Sequence, residues 1–126
     1  MNKTYLNSSM ALLLMTLFFN ANLQADQIPD PGVAQKEAID QMHHKLHDDQ
    51  ASFKAAEAKA LKELNEITVR EDVTVQQLNA KIEQLMAAKT QILRLRYGHL
   101  VEMRAILTNE QKVGYDKGVL NRSSVK

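Results

Sequence analysis

The side chains in this sequence with the most distinctive chemistry are its four histidines and Met103. His43, His44 and His47 lie together in MHHKLH, and His99 stands four residues before Met103 in HLVEM. Imidazole is a ligand for nickel, cobalt, copper and zinc, and a thioether favours the softer ions, whereas calcium and magnesium want oxygen. A spacing of four stacks His43 over His47, and His99 over Met103, on one face of a helix. Two such pairs set opposite each other offer four ligands to one ion, and Asp40, Asp48 or Glu102 can add an oxygen. His44 points farther round its helix and is the weakest of the five. Taken singly, each residue has a plainer reading. His99 is a hydrogen-bonded core histidine, Met103 fills a core gap, and HHKLH is a solvated helix face.

What decides between these readings is whether the fold brings the two pairs together. From Val33 to Ile67 the chain has no Pro or Gly and is rich in Ala, Lys, Glu, Gln and Leu, a helix-forming composition. Ile39, Leu46, Phe53, Ala60 and Ile67 recur every seventh residue, with Met42, Ala56 and Leu64 at alternate steps. Asp49 and Glu63 weaken this heptad seam. TVREDVT, residues 68–74, breaks the pattern, and Asp72 or Thr74 can cap a new helix after it. That second helix is predicted from Val75 to Leu107, with Leu78, Leu85, Ile92, His99 and Ile106 at heptad spacing and Ile82 and Met103 sharing the stripe. Gly98 beside His99 allows close approach of another backbone.

Two helices of about 30 residues joined by a short polar turn fold back as an antiparallel hairpin. With the turn near residue 71, position 99 faces position 43. The histidines then collect at the open end, about 40 Å from the turn at 1.5 Å per residue. A lone hairpin buries little apolar surface, so a short third helix, a second copy of the chain, or both should pack on it. Thr108 followed by Gln111 is a capping-box start for that last helix, and Gly114, Gly118 and the polar tail close the ordered chain.

Composition narrows the setting. Lys3 followed by the apolar run Met10–Phe19 and by small Ala25 reads as a secretory signal over residues 1–25, cleaved before Asp26. That run is too short to span a bilayer, which takes about 20 residues. DQIPDPG, residues 26–32, reads as an extended leader, residues 33–120 as the helical domain and 121–126 as a disordered tail. There is no cysteine, and an exported domain without disulfides suits a bacterial periplasm. Beyond Lys3 the charges balance at 15 basic and 15 acidic residues, which speaks against nucleic acid or an anionic membrane as partner. No nucleophile elbow, phosphate loop or other catalytic arrangement is present, so the chain does not read as an enzyme.

HLVEMRAILTNEQKVGYDKGVL, residues 99–120, resembles the C-terminal signature of periplasmic nickel and cobalt sensors of the CnrX type. The shared pattern is a His and Met four apart, Glu-Met-Arg-Ala, a Leu, a turn, and Tyr-Asp before a short last helix. LTNEQ, residues 107–111, also fits the LTxxQ motif of the wider superfamily that includes the Spy and CpxP stress proteins. The resemblance implies an all-α, hooked helical hairpin with a short C-terminal helix, a homodimer, a periplasmic location, and His99 and Met103 as metal ligands. In the sensors the remaining ligands are an HxxxH pair on an upstream helix and a Glu on the first arm. Here the HxxxH, His43 and His47, lies in the first arm itself behind only a short leader, so either the upstream helix has been lost and its histidines replaced locally or the arms align differently. The resemblance further implies a membrane-bound anti-sigma or sensor partner.

The leading expectation is a periplasmic protein of heavy-metal sensing or resistance. It would hold a divalent transition metal, nickel or cobalt before copper or zinc, through His43, His47, His99 and Met103, with His44 as an outer candidate. The alternatives are a Spy- or CpxP-like chaperone needing no metal, and a structural helical dimer with no ligand.

Overall fold

The computed structural model describes residue 28 and residues 31–122. The expected signal over residues 1–25, most of the 26–32 leader and residues 123–126 lie outside the described residues. Three helices occur in order: α1 Val33–Thr68, α2 Val75–Ala105 and α3 Asn109–Asn121, with no strand among the described residues. Residues 33–106 form one compact unit, in which α1 and α2 pack as the antiparallel hairpin that the heptads predict. Leu107 and α3 belong to a second unit.

The turn is closed by local polar contacts. Thr68 Oγ1 donates back to the Leu64 carbonyl at 2.6 Å, and the Arg70 N–H donates to the Ile67 carbonyl at 3.2 Å. The Arg70 guanidinium forks onto the Asp72 carboxylate at 3.0 and 2.7 Å. Asp72 is thus engaged within the turn, and Thr74 is the residue that caps α2. Its Oγ1 accepts from the Gln77 N–H at 3.2 Å, while the Gln77 amide oxygen accepts from the Thr74 N–H at 3.0 Å. Two of the donors a helix start leaves open are satisfied reciprocally.

The seam is close to the expected one and differs in its alternate steps. Ile39, Leu46, Phe53, Ala60 and Ile67 on α1, and Leu78, Leu85, Ile92, His99 and Ile106 on α2, are all buried or half-buried. Ala56 and Asp49, however, are exposed, and the next residues, Glu57 and Gln50, turn inward. On α2 the inner positions are Lys81, Ala88 and Leu95, while Ile82 is 43% exposed on another face. Both rows still repeat every seven residues: the second lies four after the first on α1 (Gln50 and Glu57 after Leu46 and Phe53) and three after it on α2 (Lys81, Ala88 and Leu95 after Leu78, Leu85 and Ile92).

Those steps put polar side chains between the arms, and each finds a partner. Gln50, only 6% exposed, donates through Nε2 to the Ile92 carbonyl at 3.1 Å. Near the open end Gln35 Nε2 reaches the Ile106 carbonyl at 3.1 Å. Glu57 pairs with Lys89 at 3.9 Å, and Glu63 pairs with Lys81. The hydrogen bond from Lys81 is the largest cause holding the Glu63 carboxyl below its ordinary 4.5. A lowered carboxylate stabilises the fold fully above pH 4.5, and that contribution is lost as the pH falls through the lowered folded-state value.

α3 starts as predicted. Thr108 Oγ1 accepts from the Gln111 N–H at 3.3 Å, and the Gln111 side chain accepts from the Thr108 N–H at 3.0 Å. Gly114 and Gly118, expected to close the ordered chain, lie inside this helix, which continues to Asn121. α2 is shorter than expected: it ends at Ala105, where Ile106 caps it.

The buried amide of Gln50 contributes packing and one hydrogen bond to a carbonyl that also serves its own helix. Gln50→Ala should therefore lose about 1–2 kcal/mol in urea unfolding, whereas Gln50→Leu, which fills the same space without a polar group, should be near neutral or stabilising.

Candidate functional site

The register delivers the pairing on which the metal reading depends. His43 and His99 lie 28 residues to either side of Glu71, and Gln50 and Ile92 lie 21 to either side. The His43 and His99 rings meet with centroids 5.2 Å apart and planes inclined at 45°. His43, Gln50 and Glu57 succeed one another at intervals of seven along one flank of α1. They reach the His99 ring, the Ile92 carbonyl and Lys89 in turn.

The five candidate ligands separate by environment. His99 is buried at 6% exposure, and Met103 at 1% is among the most enclosed side chains of the molecule. His43, His44 and His47 are exposed. The hairpin therefore brings two imidazoles together, one from each arm. His47 stands a turn along the exposed side from His43, His44 points away from the seam, and Met103 lies a turn below His99 in the core. Among the described residues, no group of three or more His, Asp or Glu side chains is arranged to hold a metal ion.

His99 has a second neighbourhood. With Met42, Leu46 and Leu95 it lines a cleft of about 120 Å³ on the flank opposite His43. Lys45, Asp49, Arg94 and Glu102 form its charged margin. Asp49 accepts a hydrogen bond from Lys45 and holds that ammonium above its ordinary value, with a smaller contribution from the Glu102 charge. The sequence pattern flagged Glu102 as a possible oxygen donor but missed the cleft. Its signal was the charged i, i+4 spacing of Lys45 and Asp49 on the flank away from the histidine row.

Gly98 opens this cleft. A Cβ built there meets nothing within 4 Å, so the expected close approach of another backbone does not occur within the chain. A glycine inside a helix costs about 0.8–1.0 kcal/mol relative to alanine, and no crowding accounts for it here.

An all-α hairpin with a further helix that begins Leu-Thr-x-x-Gln is a recognisable class of protein. The chain belongs to the LTXXQ motif family, whose profile matches residues 30–118. No curated protein and no solved structure matches it. The motif has a physical content here: Leu107 is buried, Thr108 caps α3, and Gln111 closes the reciprocal box. No helix among the described residues is long and apolar enough to cross a membrane.

Because the space beside Gly98 is open, Gly98→Ala should stabilise the hairpin by about 1 kcal/mol, raising Tm by about 4–8 °C. A lowered Tm would show that the position is crowded after all.

Proposed function

We propose that this protein is a periplasmic member of the LTXXQ family that binds a divalent transition metal at the open end of its hairpin. The observation that carries the reading is the meeting of His43 and His99, one imidazole from each arm, 5.2 Å apart. Two facing nitrogen donors suit nickel, cobalt, copper or zinc, and the resemblance to the nickel and cobalt sensors is what favours the first two. His47, exposed one turn beyond His43, is the nearest further nitrogen donor, and Met103 the sulfur donor on the α2 side. His44 remains an outer candidate.

A ligand shared by two arms has a mechanical consequence. Metal that binds α1 and α2 together favours the state in which they are closed and so shifts the population toward it. That supports a role in heavy-metal sensing or resistance, with a homodimer and a membrane-bound anti-sigma or sensor protein as the partners that register the change. A second reading, a Spy- or CpxP-like chaperone, is favoured by the large apolar side chains exposed along α2.

Calorimetric titration with nickel, cobalt, copper and zinc tests the proposal. At least one of these should bind at micromolar concentration or tighter, and both His43→Ala and His99→Ala should weaken it tenfold or more. Binding untouched by His99→Ala would move the site to the exposed HHKLH face. An absence of binding, with metal-independent protection of an aggregating client, would favour the chaperone.

A further inference from the structure

Gly98 lies well inside α2 at a stability cost that no packing contact in the hairpin explains. A Cβ there would meet nothing within 4 Å, so neither crowding nor a close backbone asks for glycine. A residue that breaks a local rule without a packing reason points to a use for the space it leaves. The residues four before and four after it are Arg94 and Glu102, so the three share one face of the helix. A cation and a carboxylate thus stand at the two ends of a gap, over the cleft that Met42, Leu46 and Leu95 line with apolar surface.

Both charges are open for use. On the opposite margin Lys45 and Asp49 close on each other. Among the described residues neither Arg94 nor Glu102 makes an ion pair, and Glu102 acts on Lys45 through its charge alone.

We propose that this cleft binds a short zwitterion of the dipeptide class. Its carboxylate would lie on Arg94, its ammonium on Glu102, and its small apolar side chains against Met42, Leu46 and Leu95. The span sets the class. Eight residues of helix separate Arg94 from Glu102 by about 12 Å along the axis. Helical side chains lean the same way, which preserves that separation at their heads. A charge-assisted hydrogen bond takes about 2.8 Å at each end, leaving about 6 Å between the ligand's own charges. In a single amino acid the two charges are about 3 Å apart, and one further residue adds about 3.5 Å and reaches the span. A third residue overshoots it by as much again. Polarity fixes the direction, because the guanidinium fork matches a carboxylate and the Glu102 carboxylate matches an ammonium. The proposal is independent of the metal reading, since it needs neither His43 nor Met103.

Titration of the purified protein with alanyl-alanine, followed by nuclear magnetic resonance in the presence of a chelator, tests it. Exposed ion pairs are weak, so binding in the millimolar range is expected, reported by a shift of the Gly98 amide. N-acetyl-alanyl-alanine and alanyl-alanine amide each lack one charge, and both should bind about threefold more weakly or worse, as should alanine, whose charges are too close. Arg94→Gln should remove the penalty for amidating the peptide's carboxylate, and Glu102→Gln the penalty for acetylating its amine. Gly98→Leu should fill the gap and abolish binding, with helix content by circular dichroism unchanged. A Gly98 amide that does not shift at tens of millimolar peptide, capped peptides that bind as well as the free one, or binding that survives in folded Gly98→Leu would each overturn the proposal. Should Gly98→Leu fail to fold, the matched losses at Arg94→Gln and Glu102→Gln decide it.

Discussion

Everything at the open end of this hairpin depends on the register in which α1 and α2 pair. A slip of one step along the seam would carry His43 past His99 and bury a different set of side chains. The register is held at both ends and in the middle. At the turn, the Arg70–Asp72 fork and the Thr74 capping box define where one helix stops and the next starts. In the middle, Gln50 inserts its amide against the Ile92 carbonyl, and Glu57 and Glu63 take Lys89 and Lys81. Toward the histidines, Gln35 reaches Ile106. Apolar contacts alone tolerate sliding because one leucine resembles another; a buried amide that must find a particular carbonyl does not.

The same polar contacts explain how far the sequence could be read in advance. Heptad residues such as Ile39, Phe53, Leu85 and Ile92 declared the two helices and the seam, and the TVREDVT break located the turn closely enough to pair position 43 with position 99. Thr108 and Gln111 announced the last helix because a reciprocal cap is a local event with a local signature. What was not legible was which residue turns inward at the alternate steps of the seam. A seven-residue template predicts Ala56 and Ile82 inside and gives no reason to look at Gln50 or Lys81. Both rows repeat every seven residues, and the packing of the two arms decides whether the second falls three or four residues after the first. Gly114 and Gly118 misled for a related reason: a glycine weakens a helix without necessarily ending it.

The candidate site was half visible in the same way. Spacing alone could show that His43 and His99 would meet, because both lie close to the seam. It could not show that His99 would be buried while His43 stayed exposed, nor that a cleft beside Gly98 would open on the flank away from His43. Those depend on the local packing of Met42, Leu46 and Leu95. α2 emerges as the busier helix, with one stripe committed to α1, a buried histidine near its open end, and a second stripe turned outward.

The central claim is the His43–His99 contact, and nuclear magnetic resonance of the metal-free protein measures it most directly. With the ring protons of the four histidines assigned through single substitutions, the account predicts a nuclear Overhauser effect between the rings of His43 and His99, and none between His44 and His99. A His99 ring that shows contacts to His47 or His44 in place of His43, or to none of the three, would mean that the arms pair in another register.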